Sequence, residues 1–262
     1  MRKTREEYKA IAEDTQKKSL LYDIPLTHYF SEEELRILRN RIKESFEPLV
    51  EFMDETSTEA LVRLRKENPD FKICILNFAS AIHAGGGWLS GALAQEEQIS
   101  RSSNLVRGLK TQPAFYALNR GSVDRYHNCV YRHDLLYSKD VLFFKDDDGK
   151  ELEKKIKADV ITLPAPNLKD VHTIQVLNGD SYSKVIKNRL MGMAAVINEM
   201  KPDLVVLGAW GCGAFRNEPR KMGKIFSEIV PYLNVKKVVF SIPKDARNNH
   251  QTFKEAYFKI SK

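Results

Sequence analysis

The sequence predicts an α/β fold around a largely parallel sheet, because short apolar runs alternate with helical patterns over most of the chain. The first run, residues 71–78 (FKICILNF), is almost continuously apolar, as expected for a strand buried on both faces. Comparable runs follow at 139–145, 158–166, 203–210 and 236–243. Helical patterns lie around 92–107, 182–200, 219–233 and 249–260.

Residues 1–70 have a different character and predict a helical extension. Residues 3–18 are rich in Glu, Lys and Ala and contain neither Gly nor Pro, which favours an exposed helix. Ser31 with Glu34 three residues later has the spacing of a capping box, and residues 56–68 form a third helical pattern before a proline. We therefore expect residues 1–70 to pack as a helical extension on a main domain of residues 71–262.

Composition bounds the class of protein. Hydrophobic residues make up 42% of the 262 residues and charged residues 29%, which excludes fibrous and disordered classes. The net charge of +7 favours acidic partners such as phosphates without selecting one. Three widely spaced cysteines argue against a disulfide framework. Without an apolar run of about 20 residues or a signal-peptide pattern, we expect a cytoplasmic protein with no membrane partner, although non-classical export would leave no mark.

Two predicted strands end in glycine-rich loops, NFASAIHAGGGW at 77–88 and GAWGCGAF at 208–215. Ligands of open α/β sheets bind beyond the carboxyl ends of strands, and bare backbone N–H groups favour anions. The pair of loops is therefore suited to a diphosphate. Neither loop matches a nucleotide-binding fingerprint, which disfavours a kinase or a dehydrogenase. A tight turn is the alternative explanation for Gly85, Gly86 and Gly87, but three consecutive glycines favour a functional one.

Two adjacent glutamates, Glu96 and Glu97, follow the triple glycine and lie early in a helix predicted to start near Ser90. Neighbouring helix residues project about 100° apart, so the two carboxyl groups cannot flank one bond as in ordinary glycosidases. We expect separate roles, with one carboxyl at the reacting centre while the other and Gln95 fix sugar hydroxyls. A solvent-exposed pair is the alternative.

These motifs resemble the microbial branch of the poly(ADP-ribose) glycohydrolase family. The resemblance rests on GGG, seven residues, then QEE, and on the segments LNFASA, GALAQEE, RSSNL, DVITLPAPN and LGAWGCGAF, from about residue 71 to the C-terminus. It implies a macrodomain-like three-layer α/β/α sandwich with a mixed, largely parallel sheet that holds ADP-ribose between the two loops. It further implies that neither a metal nor a cofactor takes part.

The resemblance also implies roles for individual residues. Glu97 would be the catalytic acid and base, Glu96 would bind ribose hydroxyls, and Gly85, Gly86 and Gly87 would lie near the distal ribose and diphosphate. Gly211, Cys212, Gly213 and Ala214 would form the second diphosphate loop, and Phe215 would pack against the distal ribose. From their positions in the first loop, Asn77, Ser80 and His83 are further ligand-binding candidates, and a plain surface residue is an equal alternative for His83.

The expected reaction is release of ADP-ribose by cleavage of the glycosidic bond at the distal ribose. Members of the family carry Asn-Pro before the triple glycine, preceded by a basic residue, whereas this chain has Ile82, His83 and Ala84. This departure leaves open whether the substrate is the polymer or a single ADP-ribose on an arginine, serine or acidic side chain. A reader module that binds ADP-ribosylated targets without cutting is the rival, although the intact glutamate pair favours an enzyme. We expect a monomer and no sequence-specific nucleic acid partner.

Overall fold

A computed structural model describes residues 3–245 and 247–259 and contains a seven-stranded sheet between two layers of helices. The strands are β1 (Thr27–Phe30), β2 (Leu49–Met53), β3 (Ile73–Phe78), β4 (Leu135–Lys145), β5 (Glu151–Leu163), β6 (Leu204–Leu207) and β7 (Lys237–Ser241). The helices are α1 (Arg5–Ser19), α2 (Glu32–Arg39), α3 (Ser57–Glu67), α4 (Gln95–Ser102), α5 (Leu105–Leu109), α6 (Pro113–Tyr126), α7 (Val171–Val176), α8 (Gly179–Met200), α9 (Pro219–Ile229) and α10 (Asn249–Phe258).

The sheet has the strand order β1-β4-β5-β3-β6-β7-β2. The five strands from β5 to β2 run parallel, while β4 and β1 add an antiparallel edge. The central strand β3 alternates between two cores, with Ile73 and Ile75 on one face and Cys74 and Leu76 on the other. Burial on both faces explains its continuous apolar sequence.

Helices cover both faces of the sheet. One core contains side chains of α2, α8, α9 and α10, such as Leu35, Leu190 and Phe226. The opposite core contains side chains of α3 to α6, such as Leu61 and Phe115. The predicted three-layer α/β/α sandwich is therefore confirmed.

The N-terminal region contains more than the predicted helices. A capping box begins each of α1, α2 and α3, at Thr4, Ser31 and Thr56, and the box at Ser31 is the predicted one. However, β1 and β2 form the two edges of the sheet, so the prediction of an entirely helical extension is wrong. Edge strands of four and five partly exposed residues carry little hydrophobic periodicity, which explains why the sequence did not reveal them.

Among the described helices, none is both long and apolar enough to cross a membrane.

Candidate active site

Two loops lie side by side at the carboxyl edge of the sheet. The first loop, residues 79–94, follows β3, and the second loop, residues 208–218, follows β6. These strands are parallel neighbours, with Ile73 paired to Leu204 and Ile75 to Val206. Their carboxyl ends therefore meet at one edge, which is where α/β sheets bind ligands.

The triple glycine of the first loop lies against the glutamate pair. The N–H of Gly87 donates to Glu97 Oε1 over 2.9 Å. A Cβ atom on Gly86 would lie 2.4 Å from Glu97 Oε1 and 3.0 Å from Glu96 Oε2, and Gly86 has a φ of +57°. Only glycine fits that backbone and that contact. Both carboxyl groups thus reach the same glycine although their side chains leave the helix in different directions.

Glu96 is buried and bonded on both oxygens. Its Oε2 accepts from the N–H of Ser80 over 2.6 Å, and its Oε1 accepts from Asn77 Nδ2 over 3.4 Å. Burial raises the pKa of Glu96 to about 8, against the opposing hydrogen bond from Ser80, and the charge of Glu97 adds to the rise. Burial thus favours the protonated form of Glu96 over the carboxylate.

Glu97 is buried too, with only 9% of its surface exposed, but its two oxygens differ. Whereas Oε1 accepts from Gly87, Oε2 is buried without a hydrogen-bond partner in the described part of the chain. Buried polar atoms are normally paired. An unpaired carboxyl oxygen beside the glycine turn is thus a position where a ligand group would complete the hydrogen bonding.

Ser80 and Asn77, which donate hydrogen bonds to Glu96, make further hydrogen bonds within the protein. Ser80 Oγ accepts from the N–H groups of Ile82 and His83 over 3.3 and 3.1 Å. Asn77 Nδ2 also donates to Thr162 Oγ1 over 3.2 Å. His83 itself is exposed on the loop surface.

The Gln95 amide is used within the protein. Its Oε1 accepts from the N–H of Phe78 over 2.9 Å, and its Nε2 donates to Ser57 Oγ and to the carbonyl of Leu76 over 2.9 and 2.8 Å. Gln95 thereby ties the start of α4 to the end of β3. Both amide hydrogens are used by protein partners, and the sugar contact of Gln95 stays a prediction.

The side chain of Asn217 stabilises the second loop through hydrogen bonds. This residue was not among those predicted from the sequence. Asn217 Nδ2 donates to the carbonyls of Pro166 and Gly211 over 2.9 and 3.1 Å, and its Oδ1 accepts from the Tyr182 hydroxyl over 3.0 Å. Gly211 has a φ of +76°, and a Cβ there would lie 2.7 Å from Asn217 Nδ2. Asparagine is common in loops, so no single-sequence signal distinguished this one.

The tip of the second loop presents backbone rather than side chains. Gly213 and Ala214 are exposed, and across residues 3–245 and 247–259 the N–H groups of Gly213, Ala214 and Phe215 have no acceptor. Such consecutive free N–H groups favour an anion.

The flanking residues of that tip point inward. Cys212 is buried with its Sγ 3.6 Å from the Trp210 carbonyl, and burial raises the pKa of its thiol. Phe215 is half-buried, with its ring 6.3 Å from that of Tyr131. Within the described ranges, no three His, Cys, Asp or Glu side chains converge as metal ligands.

Comparison with known proteins identifies the family of this chain. The family model of the microbial-type PARG catalytic domain matches residues 3–146. Poly(ADP-ribose) glycohydrolase (PARG) from Thermomonospora curvata, bound to the inhibitor ADP-HPD, is 30% identical with a TM-score of 0.83, covering 95% of this chain and 98% of that one. PARG from Deinococcus radiodurans in complex with ADP-ribose is 33% identical with a TM-score of 0.76, covering 88% and 92%. No curated protein sequence matches. The chain belongs to the microbial-type poly(ADP-ribose) glycohydrolase family.

Proposed function

We propose that the protein hydrolyses the glycosidic bond at the distal ribose of poly(ADP-ribose), with Glu97 as general acid and base. The family supports the reaction, and ADP-ribose bound to the Deinococcus radiodurans relative supports the ligand. The observation that carries the assignment of Glu97 is its buried Oε2 without a described partner, while Gly87 fixes Oε1.

The hydrogen bond at Oε1 decides which oxygen carries the proton. An N–H donor stabilises an acceptor oxygen, so in the protonated acid Oε1 is the carbonyl and Oε2 the hydroxyl. Glu97 Oε2 then gives its proton to the leaving oxygen while the bond from that oxygen to the anomeric carbon breaks. The ionised Glu97 next takes a proton from water, whose oxygen bonds to the anomeric carbon, and the acid is restored.

Glu96 has the supporting role of binding ribose hydroxyls. Its burial and its bonds to Ser80 and Asn77 hold the carboxyl group beside Gly86. A protonated Glu96 also avoids placing two negative charges side by side, which would destabilise the folded site. Each of its bonded oxygens keeps a second lone pair that can accept from a ribose hydroxyl.

The second loop is proposed to bind the diphosphate. The N–H groups of Gly213, Ala214 and Phe215 have no acceptor in the described part of the chain, and Asn217 supports the backbone of this loop. The start of α9 follows this loop, and helix N-termini add favourable potential for an anion. We propose that the half-buried ring of Phe215 packs against the distal ribose.

The experiment is release of ADP-ribose from poly(ADP-ribose) by the wild type and by Glu97→Gln. The amide keeps the acceptor for Gly87 but cannot transfer a proton, so we expect the rate to fall by roughly two to four orders of magnitude. ADP-ribose binding should persist in this variant. Glu153→Gln is the matched control, because Glu153 is exposed on β5. Hydrolysis by Glu97→Gln at the wild-type rate would refute the assignment.

A further inference from the structure

A cleft of about 490 Å³ lies against the first loop, and the mechanism above does not use it. It is bounded by residues 82–90 of the first loop and its 3-10 turn, by Lys110, and by the side chains of Pro113, Tyr116 and Arg120 on α6. We call it the α6 cleft. Ile82, Trp88 and Leu89 give it apolar walls.

The α6 cleft shares a wall with the glutamate pair. Gly86 and Gly87 line it, and these are the glycines against which the carboxyl groups of Glu96 and Glu97 lie. A group in the cleft is therefore separated from the catalytic carboxyl only by glycine backbone.

Tyr116 connects the cleft to the same pair. Its side chain is 95% buried, lines the cleft, and has a hydroxyl without a partner in the described part of the chain. Burial raises the pKa of Tyr116, and the charge of Glu96 adds to the rise. An unpaired buried hydroxyl calls for a polar group of a ligand.

The charge of the α6 cleft is positive. Lys110 and Arg120 are exposed, and no Asp or Glu is among the described residues that line the cleft. Arg120 Nη1 donates to the Ile82 carbonyl over 2.8 Å, which fixes the guanidinium at the rim. Lys110 has no hydrogen bond or ion pair from its ammonium group within residues 3–245 and 247–259. Two cations without a carboxylate suit a phosphate.

The polymer supplies a phosphate on the leaving side of the cleaved bond. The leaving oxygen belongs to the ribose of the next ADP-ribose unit, and that ribose carries a diphosphate on its 5′ carbon. An arginine, serine or acidic side chain as leaving group has no phosphate there. A positively charged cleft on the leaving side would therefore bind the polymer better than a single ADP-ribose on a protein side chain.

We propose that the α6 cleft binds the leaving ADP-ribose unit of the polymer, with Lys110 and Arg120 on its diphosphate and the apolar wall against its sugar or base. This inference rests on the proposed function of Glu97, because it assigns the leaving side from the position of that carboxyl. It makes the enzyme selective for polymer over single ADP-ribose on a protein side chain.

The test compares the affinity of a dimer of two ADP-ribose units with that of ADP-ribose, in the Glu97→Gln background where the dimer is not cut. We expect the dimer to bind about tenfold more tightly at low ionic strength, because one charge-assisted contact contributes about that factor. Lys110→Glu should abolish the advantage and leave the bond from Arg120 to Ile82 in place. The matched control Lys154→Glu makes the same charge change on exposed β5 and should preserve it.

The outcomes separate the two proposals. Equal affinities for dimer and monomer, or equal effects of Lys110→Glu and Lys154→Glu, would overturn the role of the α6 cleft and leave Glu97 untouched. Undiminished cleavage of the dimer by Glu97→Gln would overturn the proposed function instead. Loss of the advantage in Lys110→Glu alone, together with its disappearance in high salt, would support the cleft.

Discussion

The first and the second loop both contain several glycines, yet they use their backbone in opposite ways. In the first loop, the N–H groups of Ser80 and Gly87 donate inward to Glu96 and Glu97. In the second loop, Gly213 and Ala214 are exposed and their N–H groups have no acceptor among the described residues. Similar composition therefore serves two purposes.

The two loops differ in the effect of a missing Cβ atom at their glycines. At Gly86, the missing Cβ allows two carboxyl groups to touch the backbone. At Gly213, a Cβ would meet nothing within 4 Å, so glycine there exposes donors rather than relieving a clash. The first loop thus positions acids, and the second presents a surface to an anion. Variants in each loop should consequently lose different properties.

The largest expected effect is that of Gly86→Ala. Its Cβ would lie 2.4 Å from Glu97 Oε1 at a φ of +57°, so the carboxyl group must move. Misplacing the acid should lower kcat/KM on poly(ADP-ribose) by about 10³-fold, the size of an acid–base contribution. Gly121→Ala is the control, because a Cβ there meets nothing within 4 Å and the residue lies inside α6. Activity of Gly86→Ala within tenfold of wild type would contradict this account of the first loop.

Asn217→Ala should damage the second loop instead. It removes three hydrogen bonds, two of them buried, which should lower the free energy of unfolding by about 2–3 kcal/mol and the affinity for ADP-ribose by roughly tenfold or more. Tyr182→Phe removes only one of these bonds and should lower the free energy of unfolding by about 1 kcal/mol. Denaturant unfolding and calorimetric titration measure the two quantities. Unchanged affinity in Asn217→Ala would show that the loop tip does not depend on this support.

Glu96→Gln should alter the pH dependence of stability. Because the pKa of Glu96 rises from 4.5 to about 8 on folding, the folded protein binds more protons than the unfolded chain between these values. The free energy of unfolding therefore falls as pH rises through that window, by at most about 1.4 kcal/mol per pH unit from this group. Glutamine has no proton to lose, so the variant should have a flatter profile in denaturant unfolding from pH 5 to 8. If the free energy of unfolding changed with pH in the same way in the wild type and in Glu96→Gln, the raised pKa of Glu96 would be refuted.

The smallest effect is expected from Cys212→Ala. The thiol is buried and faces the Trp210 carbonyl, so only the backbone of this residue belongs to the loop surface. Burial raises the thiol pKa, which keeps it protonated and unreactive. We expect kcat to change less than about threefold, and slow alkylation of the wild-type thiol. A loss of several orders of magnitude would point to covalent chemistry at Cys212.

The sequence was most informative where burial is complete. The runs that became β3, β6 and β7 are buried on both faces, and the helical pattern at residues 182–200 is long, so both classes carry a strong signal. The edges β1 and β2 were missed because their residues are half exposed, and α6 was missed because its apolar residues form no clear stripe. Local patterns thus reveal the middle of the sheet better than its rim.

Only those residues of the candidate site that lie in the sequence motifs were predictable. The motif located Glu96, Glu97 and both loops, but not which Glu97 oxygen lacks a partner or that Gln95 bonds to β3. Tyr116 and Lys110 come from segments outside the motif and meet the first loop only through long-range packing. Asn217 lies in the second loop, but its partners Tyr182 and Pro166 are distant in sequence. A single sequence contains no local signal for such contacts.

The most direct test of the acid role of Glu97 compares leaving groups. ADP-ribosyl glycosides with alkyl and with aryl leaving groups should be hydrolysed by the wild type and by Glu97→Gln under the same conditions. An alkoxide needs a proton to leave and an aryl oxide does not, so the loss in Glu97→Gln should be roughly 10²- to 10⁴-fold for the alkyl substrate and far smaller for the aryl one. An equal loss for both substrates would contradict proton donation by Glu97.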